Sequence, residues 1–331
     1  MTIKMTIVGL GQIGASIGLG LSEQKEKILR IGHDIKSDVM RKAEKMGAVD
    51  KTIYNLHDAV EDADIVILAI PVDQVKETLE LIASDLKEGS VILDASNNMI
   101  SIGKWAKEYV PAERYFATIT PTVNPHYIDD FQSGIDAAHA DLFKKGFFVI
   151  TSPAGMPADA IRLATELADL LGTTPLYADP MEYDGLSAAT NLLPQLMAAA
   201  LVNATMDQPG WREGRKIAGK AYYRVTEPLI YLEEEKDFGT AARLNQENAV
   251  RVINDMIIAL KDIRDAISDE ESNELENLMR NAVKARDTWL QERFSADWDR
   301  ERRAEVPSSG ESLARFFTGG LFKKRDDKKK R

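Results

Sequence analysis

Apolar positions in the first half of the chain come in short continuous runs, at residues 3–8, 28–33, 64–70, 90–94, 115–119 and 147–151. Helical patterns lie between them at 12–23, 37–46, 73–86 and 101–108. Strands covered on both faces read as continuous apolar runs, and strands alternating with helices make parallel sheets. The run Asp64-Ile-Val-Ile-Leu-Ala-Ile70 is the clearest, and it ends at Pro71, where the chain leaves the sheet. The pattern predicts an α/β fold, a doubly wound parallel (Rossmann) sheet with helices on both faces.

From Pro153 the pattern changes. One more short strand is expected at 174–178, and long helical segments at 157–171, 180–206, 241–267 and 270–298. The expected organisation is a dinucleotide-binding domain over 1–152, an all-helical substrate and dimerisation domain over 153–300, and a flexible tail with a basic C-terminus over 301–331. Apolar helices such as Leu192 to Val202 need a partner surface, so a homodimer is expected. Pro194 is expected to kink or break its helix.

The turn out of the first strand is Gly9-Leu-Gly-Gln-Ile-Gly14, and Asp34 follows the second strand twenty residues later. This is a dinucleotide fingerprint in its required setting. Gly9 permits the tight turn, Gly11 lets backbone approach a pyrophosphate, and Gly14 lets helix and strand pack. The helix N-terminus, with Gln12 and Ile13 in its first turn, presents N–H groups to the phosphates. Asp34 suits the ribose hydroxyls and opposes a 2′-phosphate, which favours NAD; Lys36 softens that preference and leaves NADP possible. Ala69 and Pro71 lie where a strand end borders the cofactor crevice. Ser96 and Asn97 follow another strand end; an asparagine there holds the carboxamide or a substrate oxygen, or is an ordinary turn residue.

A chain of 331 residues suits two domains, and 44% hydrophobic with 29% charged residues describes a soluble globular protein. No run of eighteen apolar residues predicts a membrane span, and the chain enters its first strand without a signal-peptide pattern, so a cytoplasmic location is expected. With zero cysteines there are no disulfides or thiolate sites. No histidine pair has metal-ligand spacing with a carboxylate, and no metal is expected. A net charge of −11 argues against nucleic-acid binding. The basic tail Lys323 to Arg331 reads as solvated, or as a weak contact for an anionic surface or partner.

Several segments, in order, resemble the prephenate/arogenate dehydrogenase family over about residues 3–265. They are Gly9 to Ser16, Asp64 to Val72, Ser133-Gly-Ile-Asp-Ala-Ala138 with Leu142-Phe143, Tyr183-Asp184 with Leu193-Pro194, Gly210-Trp-Arg-Glu-Gly-Arg-Lys-Ile-Ala218, and Asn245 to Asn248. The resemblance implies oxidative decarboxylation of a cyclohexadienol acid, with nicotinamide taking the hydride from the ring carbinol carbon. It also implies a histidine, in a His-Pro-x-x-Gly loop after the fifth strand, that accepts a hydrogen bond from the carbinol hydroxyl. Here the histidine slot falls on Thr120 counting forward from Phe116, and near Asn124 counting back from Ser133; His126 lies within the loop. The family's Ser-His-Leu-Pro-His reads Asn191-Leu-Leu-Pro-Gln195, and the arginine of its Arg-Ile-Ala signature reads Lys216, with Arg212 and Arg215 beside it.

Thr120, Asn124, His126 and Asn191 are therefore the candidate catalytic residues, and Gln195, Arg212, Arg215 and Lys216 the candidates for binding a small carboxylate substrate. The last three also read as a solvated helix face next to Glu213. Asp184, Ser187, Asn191 and Gln195 form a polar stripe that faces a substrate cleft or an internal hydrogen-bond network. His33, His57 and His139 read as structural or exposed. The expected function is an NAD(P)-dependent dehydrogenase of the prephenate/arogenate type. The altered polar positions keep two alternatives open, a non-catalytic dinucleotide-binding homologue and a dehydrogenase for a different hydroxy acid or imine.

Overall fold

The computed structural model describes residues 2–130, 132–152, 156–231, 235–269 and 273–296, so the tail at 301–331 lies outside the described residues. Chain contacts divide it into one unit of Met1–Pro180 joined by the described residues from Glu292 onward, and a second unit of Met181–Gln291.

In the first unit the order is β1 (Ile3–Val8), α1 (Gln12–Gly20), β2 (Ile28–His33), α2 (Ser37–Lys45), β3 (Lys51–Thr52), α3 (Leu56–Val60), β4 (Ile65–Leu68), α4 (Val72–Ile82), β5 (Val91–Asp94), α5 (Met99–Tyr109), β6 (Tyr115–Pro121), β7 (Phe147–Thr151), α6 (Ala158–Leu170) and β8 (Thr174–Tyr177). The strands form one eight-stranded sheet in the order β3-β2-β1-β4-β5-β6-β7-β8. Every residue of β4 and β5 is buried, as their apolar runs require. The register sets Val8 beside His33 and Leu68, Leu68 beside Asp94, and Asp94 beside Thr118. Four strands thus end level at one carboxyl edge, with β6 running on past it, and the strand order reverses at β1.

One pairing departs from the expected all-parallel sheet, and one strand was not expected. β7 runs antiparallel to β6. Residues 122–146 return without a crossover helix, through short 3₁₀ turns at Pro125–Tyr127 and Gly134–Ala137, and only a crossover brings a chain back parallel. β3 is a two-residue edge strand with no apolar run to announce it. After β7, α6 supplies a crossover and β8 pairs parallel with β7. Residues up to Pro180 therefore group with the sheet.

The second unit is helical: α7 (Pro180–Ser187), α8 (Leu193–Met206), α9 (Trp211–Ile217), α10 (Lys220–Thr226), α11 (Glu235–Leu244), α12 (Gln246–Ser268) and most of α13 (Glu274–Ser295). The expected single helix over 180–206 is interrupted by a π turn at Ala188–Leu192. Pro194 lies in the first turn of α8 and lacks the N–H that would bond the carbonyl four residues back; the π turn absorbs the mismatch. By length and composition alone, Pro180–Met206 also meets the requirement for a membrane span. The Asn245 side chain donates to the Asp184 carbonyl oxygen at 2.7 Å and ties the start of α12 to α7.

Candidate functional site

The three glycines of the first turn meet different surroundings. Gly9 has φ +89°, and a Cβ there would lie 2.3 Å from the Ala69 carbonyl oxygen. A Cβ on Gly14 would lie 1.9 Å from the Gly9 carbonyl oxygen, so α1 is pressed onto the turn. A Cβ on Gly11 would meet nothing within 4 Å, so its smallness is not demanded by the protein's own packing. Gly11 caps α1 without a side-chain hydrogen bond, and the first turn holds no acidic residue. The leading N–H groups of α1, those of Gln12 and Ile13 among them, are thus left to an external anion, and a pyrophosphate fits this cradle.

Asp34 stands at the end of β2 beside that turn. Its Oδ2 accepts from the Leu10 amide at 2.8 Å and its Oδ1 from the Lys36 amide at 2.8 Å. Each oxygen keeps a second lone pair for a ribose hydroxyl. Ala69 donates its amide to the Val8 carbonyl oxygen at 2.8 Å, and Pro71 opens α4 in an exposed position. Gly9, Gly11, Gln12, Ile13, Gly14, Asp34, Ala69 and Pro71 are thereby gathered at one edge.

The turn after β5 continues the row. Asp94 is fully buried; its Oδ1 accepts from the Ser96 amide at 2.9 Å, while its Oδ2 has no partner among the described residues. Burial pushes its pKa up to about 7, against the pull of the Ser96 amide and hydroxyl. Ser96 is half-buried and Asn97 exposed. Thr120 Oγ1 donates to the Ser96 carbonyl oxygen at 2.8 Å, which commits that buried hydroxyl to holding the turn.

Beyond β6, Asn124 is built into the loop. Its Oδ1 accepts from the His126 amide at 3.1 Å and its Nδ2 donates to the Asp141 carbonyl oxygen at 3.2 Å. The His126 ring is exposed, edge-on to Tyr127 at 5.7 Å. Tyr127 donates to Asp141 Oδ1 at 2.6 Å, and that bond, with burial, pushes its pKa up to about 12. Its ring stacks on His139 at 4.3 Å, and the His139 amide donates to Ser16 Oγ on α1 at 3.0 Å. His139 is therefore half-buried scaffold linking this loop to the first helix. Arg293, in the last turn of α13, donates from Nη2 to the Val123 carbonyl oxygen at 2.7 Å. The sequence reading missed Asp94, Tyr127 and Arg293. A strand-end aspartate was a usable signal for the first, and nothing in the spacing pointed to the last.

In the helical unit the polar stripe divides. Asp184 and Ser187 are buried, Gln195 is half-buried and Asn191 is exposed in the π turn, with Nδ2 3.4 Å from Ser187 Oγ. Arg212 and Arg215 line an open cavity of about 450 Å³ together with Met206, Pro209 and Trp211. Lys216 pairs with Glu213 at 2.5 Å on the exposed side of α9, so the three cations do not converge on one point.

Residues 17–174 match the family model described as prephenate dehydrogenase, nucleotide-binding domain. The chain is 30% identical over 201 residues to a prephenate dehydrogenase of Lactococcus lactis, covering 60% of this chain and 53% of that protein. It is 28% identical over 208 residues to a prephenate dehydrogenase of Bacillus subtilis, covering 62% and 54%. The chain thus spans about half the length of these curated relatives. The fold matches a prephenate dehydrogenase from A. aeolicus, solved with hydroxyphenyl propionate and NAD+, with a TM-score of 0.76 at 19% identity over 87% of this chain and 99% of that one. Over its nucleotide-binding part, the chain is similar to the prephenate dehydrogenases.

Proposed function

We propose that the protein is a cytoplasmic, homodimeric NAD-dependent dehydrogenase that oxidatively decarboxylates a small cyclic hydroxy acid of the prephenate or arogenate kind. The observation that carries this reading is the row of strand ends. It sets the uncapped N-terminus of α1, the Asp34 carboxylate and the turn after β5 along one edge of the sheet. Nicotinamide, when bound, supplies the acceptor for the hydride from the carbinol carbon.

The chain's own residues hold and orient. The α1 amides take the pyrophosphate, Asp34 takes the ribose hydroxyls, and Ser96 with Asn97 flanks the carboxamide. Asp34 disfavours a 2′-phosphate by like charge, which keeps NADP the weaker cofactor. Thr120 fixes the turn that carries Ser96. Asn124 fixes the loop that carries His126, and the His126 imidazole takes the carbinol proton. In the helical unit Asn191 and Gln195 offer neutral hydrogen bonds, and Arg212, Arg215 and Lys216 offer charge to a carboxylate.

A second reading has a specific observation behind it. The two positions that fall in the family's histidine slot are engaged in holding backbone, through Thr120 to Ser96 and Asn124 to Asp141, and neither is a base. A dehydrogenase for another hydroxy acid or imine, or a cofactor-binding homologue without turnover, would keep the same cradle. Calorimetry with NAD and NADP, followed by absorbance of the reduced cofactor on adding prephenate and then arogenate, separates the readings. Turnover supports the first; NAD binding without turnover of either acid supports the second. A chain that binds neither nucleotide overturns both.

A further inference from the structure

We infer that Arg293 grips a carboxylate of the substrate beside the loop that follows β6. The inference rests on the dehydrogenase reading and names a residue outside every segment that carries the family resemblance.

Arg293 has an unusual setting for a surface-helix arginine. It is half-buried in the last turn of α13, within the part of the chain that packs with the sheet unit. Among the described residues one of its five N–H groups is used, by Nη2 on the Val123 carbonyl oxygen at 2.7 Å. Among the described residues no carboxylate forms an ion pair with it, and burial alone pushes its pKa down. A carbonyl oxygen satisfies one donor but not the charge. A partly desolvated guanidinium without a counter-anion costs free energy that a bound carboxylate would recover. The helix C-terminus contributes some compensation through its dipole, but that falls off within the last turn and leaves the remaining donors open.

The location gives the open donors a use. Val123 lies two residues past the end of β6, and Thr120 on the same strand is bonded to the turn after β5. This is the carboxyl edge of the sheet, where open α/β folds take their ligands. The other candidate cations are differently placed. Lys216 already has Glu213, and Arg212 and Arg215 line a cavity of the helical unit.

The test is calorimetric titration of the NAD-saturated protein with 3-(4-hydroxyphenyl)propionate and with the neutral 4-ethylphenol, for wild type, Arg293→Ala and Arg293→Lys. The acid should bind about tenfold or more weakly to Arg293→Ala, as expected when a charge-assisted contact is lost, with Arg293→Lys retaining part of the affinity. Affinity for 4-ethylphenol and for NAD should stay at the wild-type value. Equal acid affinity in wild type and Arg293→Ala overturns the inference, and so does wild-type protein that binds NAD but takes up no acid. Parallel weakening of acid and phenol would mean that Arg293 only props the loop, which also overturns it. Failure of the wild type to bind NAD sinks the dehydrogenase reading and this inference with it, whereas NAD binding with acid affinity indifferent to Arg293 sinks this inference alone.

Discussion

A methyl group on Gly14 would sit 1.9 Å from the Gly9 carbonyl oxygen, while one on Gly11 would touch nothing. The two glycines can therefore be separated by experiment. Gly14→Ala should destabilise the fold by about 1–3 kcal/mol, since neither backbone atom can yield, and thermal denaturation reads it. Gly11→Ala should leave thermal stability near wild type and weaken NAD binding in a titration, because the only body it displaces is the pyrophosphate. Asp94 gives a pH prediction. Its folded pKa of about 7 lies above the usual 3.8, so between those values the unfolded chain releases a proton that the folded chain keeps. Stability falls as pH rises through this window and levels off above about 7. The interval corresponds to roughly 4 kcal/mol as an upper bound. Asp94→Asn should flatten that slope in chemical denaturation between pH 5 and 8, while its side-chain oxygen still accepts from Ser96. The glycines were legible in the sequence because their jobs follow from backbone sterics at fixed spacing. Asp94 was marked by its place at a strand end, but its raised pKa was not legible, nor was Arg293, whose charge has no ion pair among the described residues, because both are properties of surroundings assembled from distant segments.

At the scale of elements, apolar runs located the strands well because β4 and β5 are covered on both faces and have no polar alternation to confuse the pattern. Direction was harder. A strand's run of residues carries no mark of parallel or antiparallel pairing, and β7 turned back only because the 122–146 connection lacks a helix. The helix over 180–206 was legible in extent, and Pro194 marked its weak point, but the sequence does not say that a π turn absorbs the strain. A π turn inserts one residue, which rotates the downstream turns by about 100° relative to a regular α-helix. Pro194→Ala restores the missing donor and permits regular geometry through Asn191. We expect thermal stability to hold within about 1 kcal/mol of wild type or to rise, by relief of the mismatch. KM for the ring acid should rise and NAD affinity should stay fixed. An unchanged KM would remove Asn191 from the binding surface.

On the scale of the whole molecule, the helical unit has more apolar surface than its own packing covers. Along α12, Ile257 is 46% exposed, Leu260 55% and Ile267 61%, and with Val250 they recur at intervals of seven, three and seven. That spacing sets them along one side of the helix, the pattern of a seam awaiting another helix. Leu186 and Met206 are likewise exposed on α7 and α8. Fully burying a large aliphatic side chain is worth about 1.5–3 kcal/mol, so four half-exposed residues on each of two copies contribute an amount of the same order as the cost of association. A second copy of the chain offers the same stripe, and a twofold axis lets the seam pair with itself. The expected outcome is a dimer in sedimentation velocity that Ile257→Glu with Leu260→Lys converts to a monomer. NAD binding should survive the double substitution, because the cradle is built wholly within the sheet unit, and turnover should fall to the extent that the helical unit needs its partner to hold shape. A wild-type chain that sediments as a monomer at micromolar concentration would leave the α12 stripe without this occupant and remove the homodimer from the proposal.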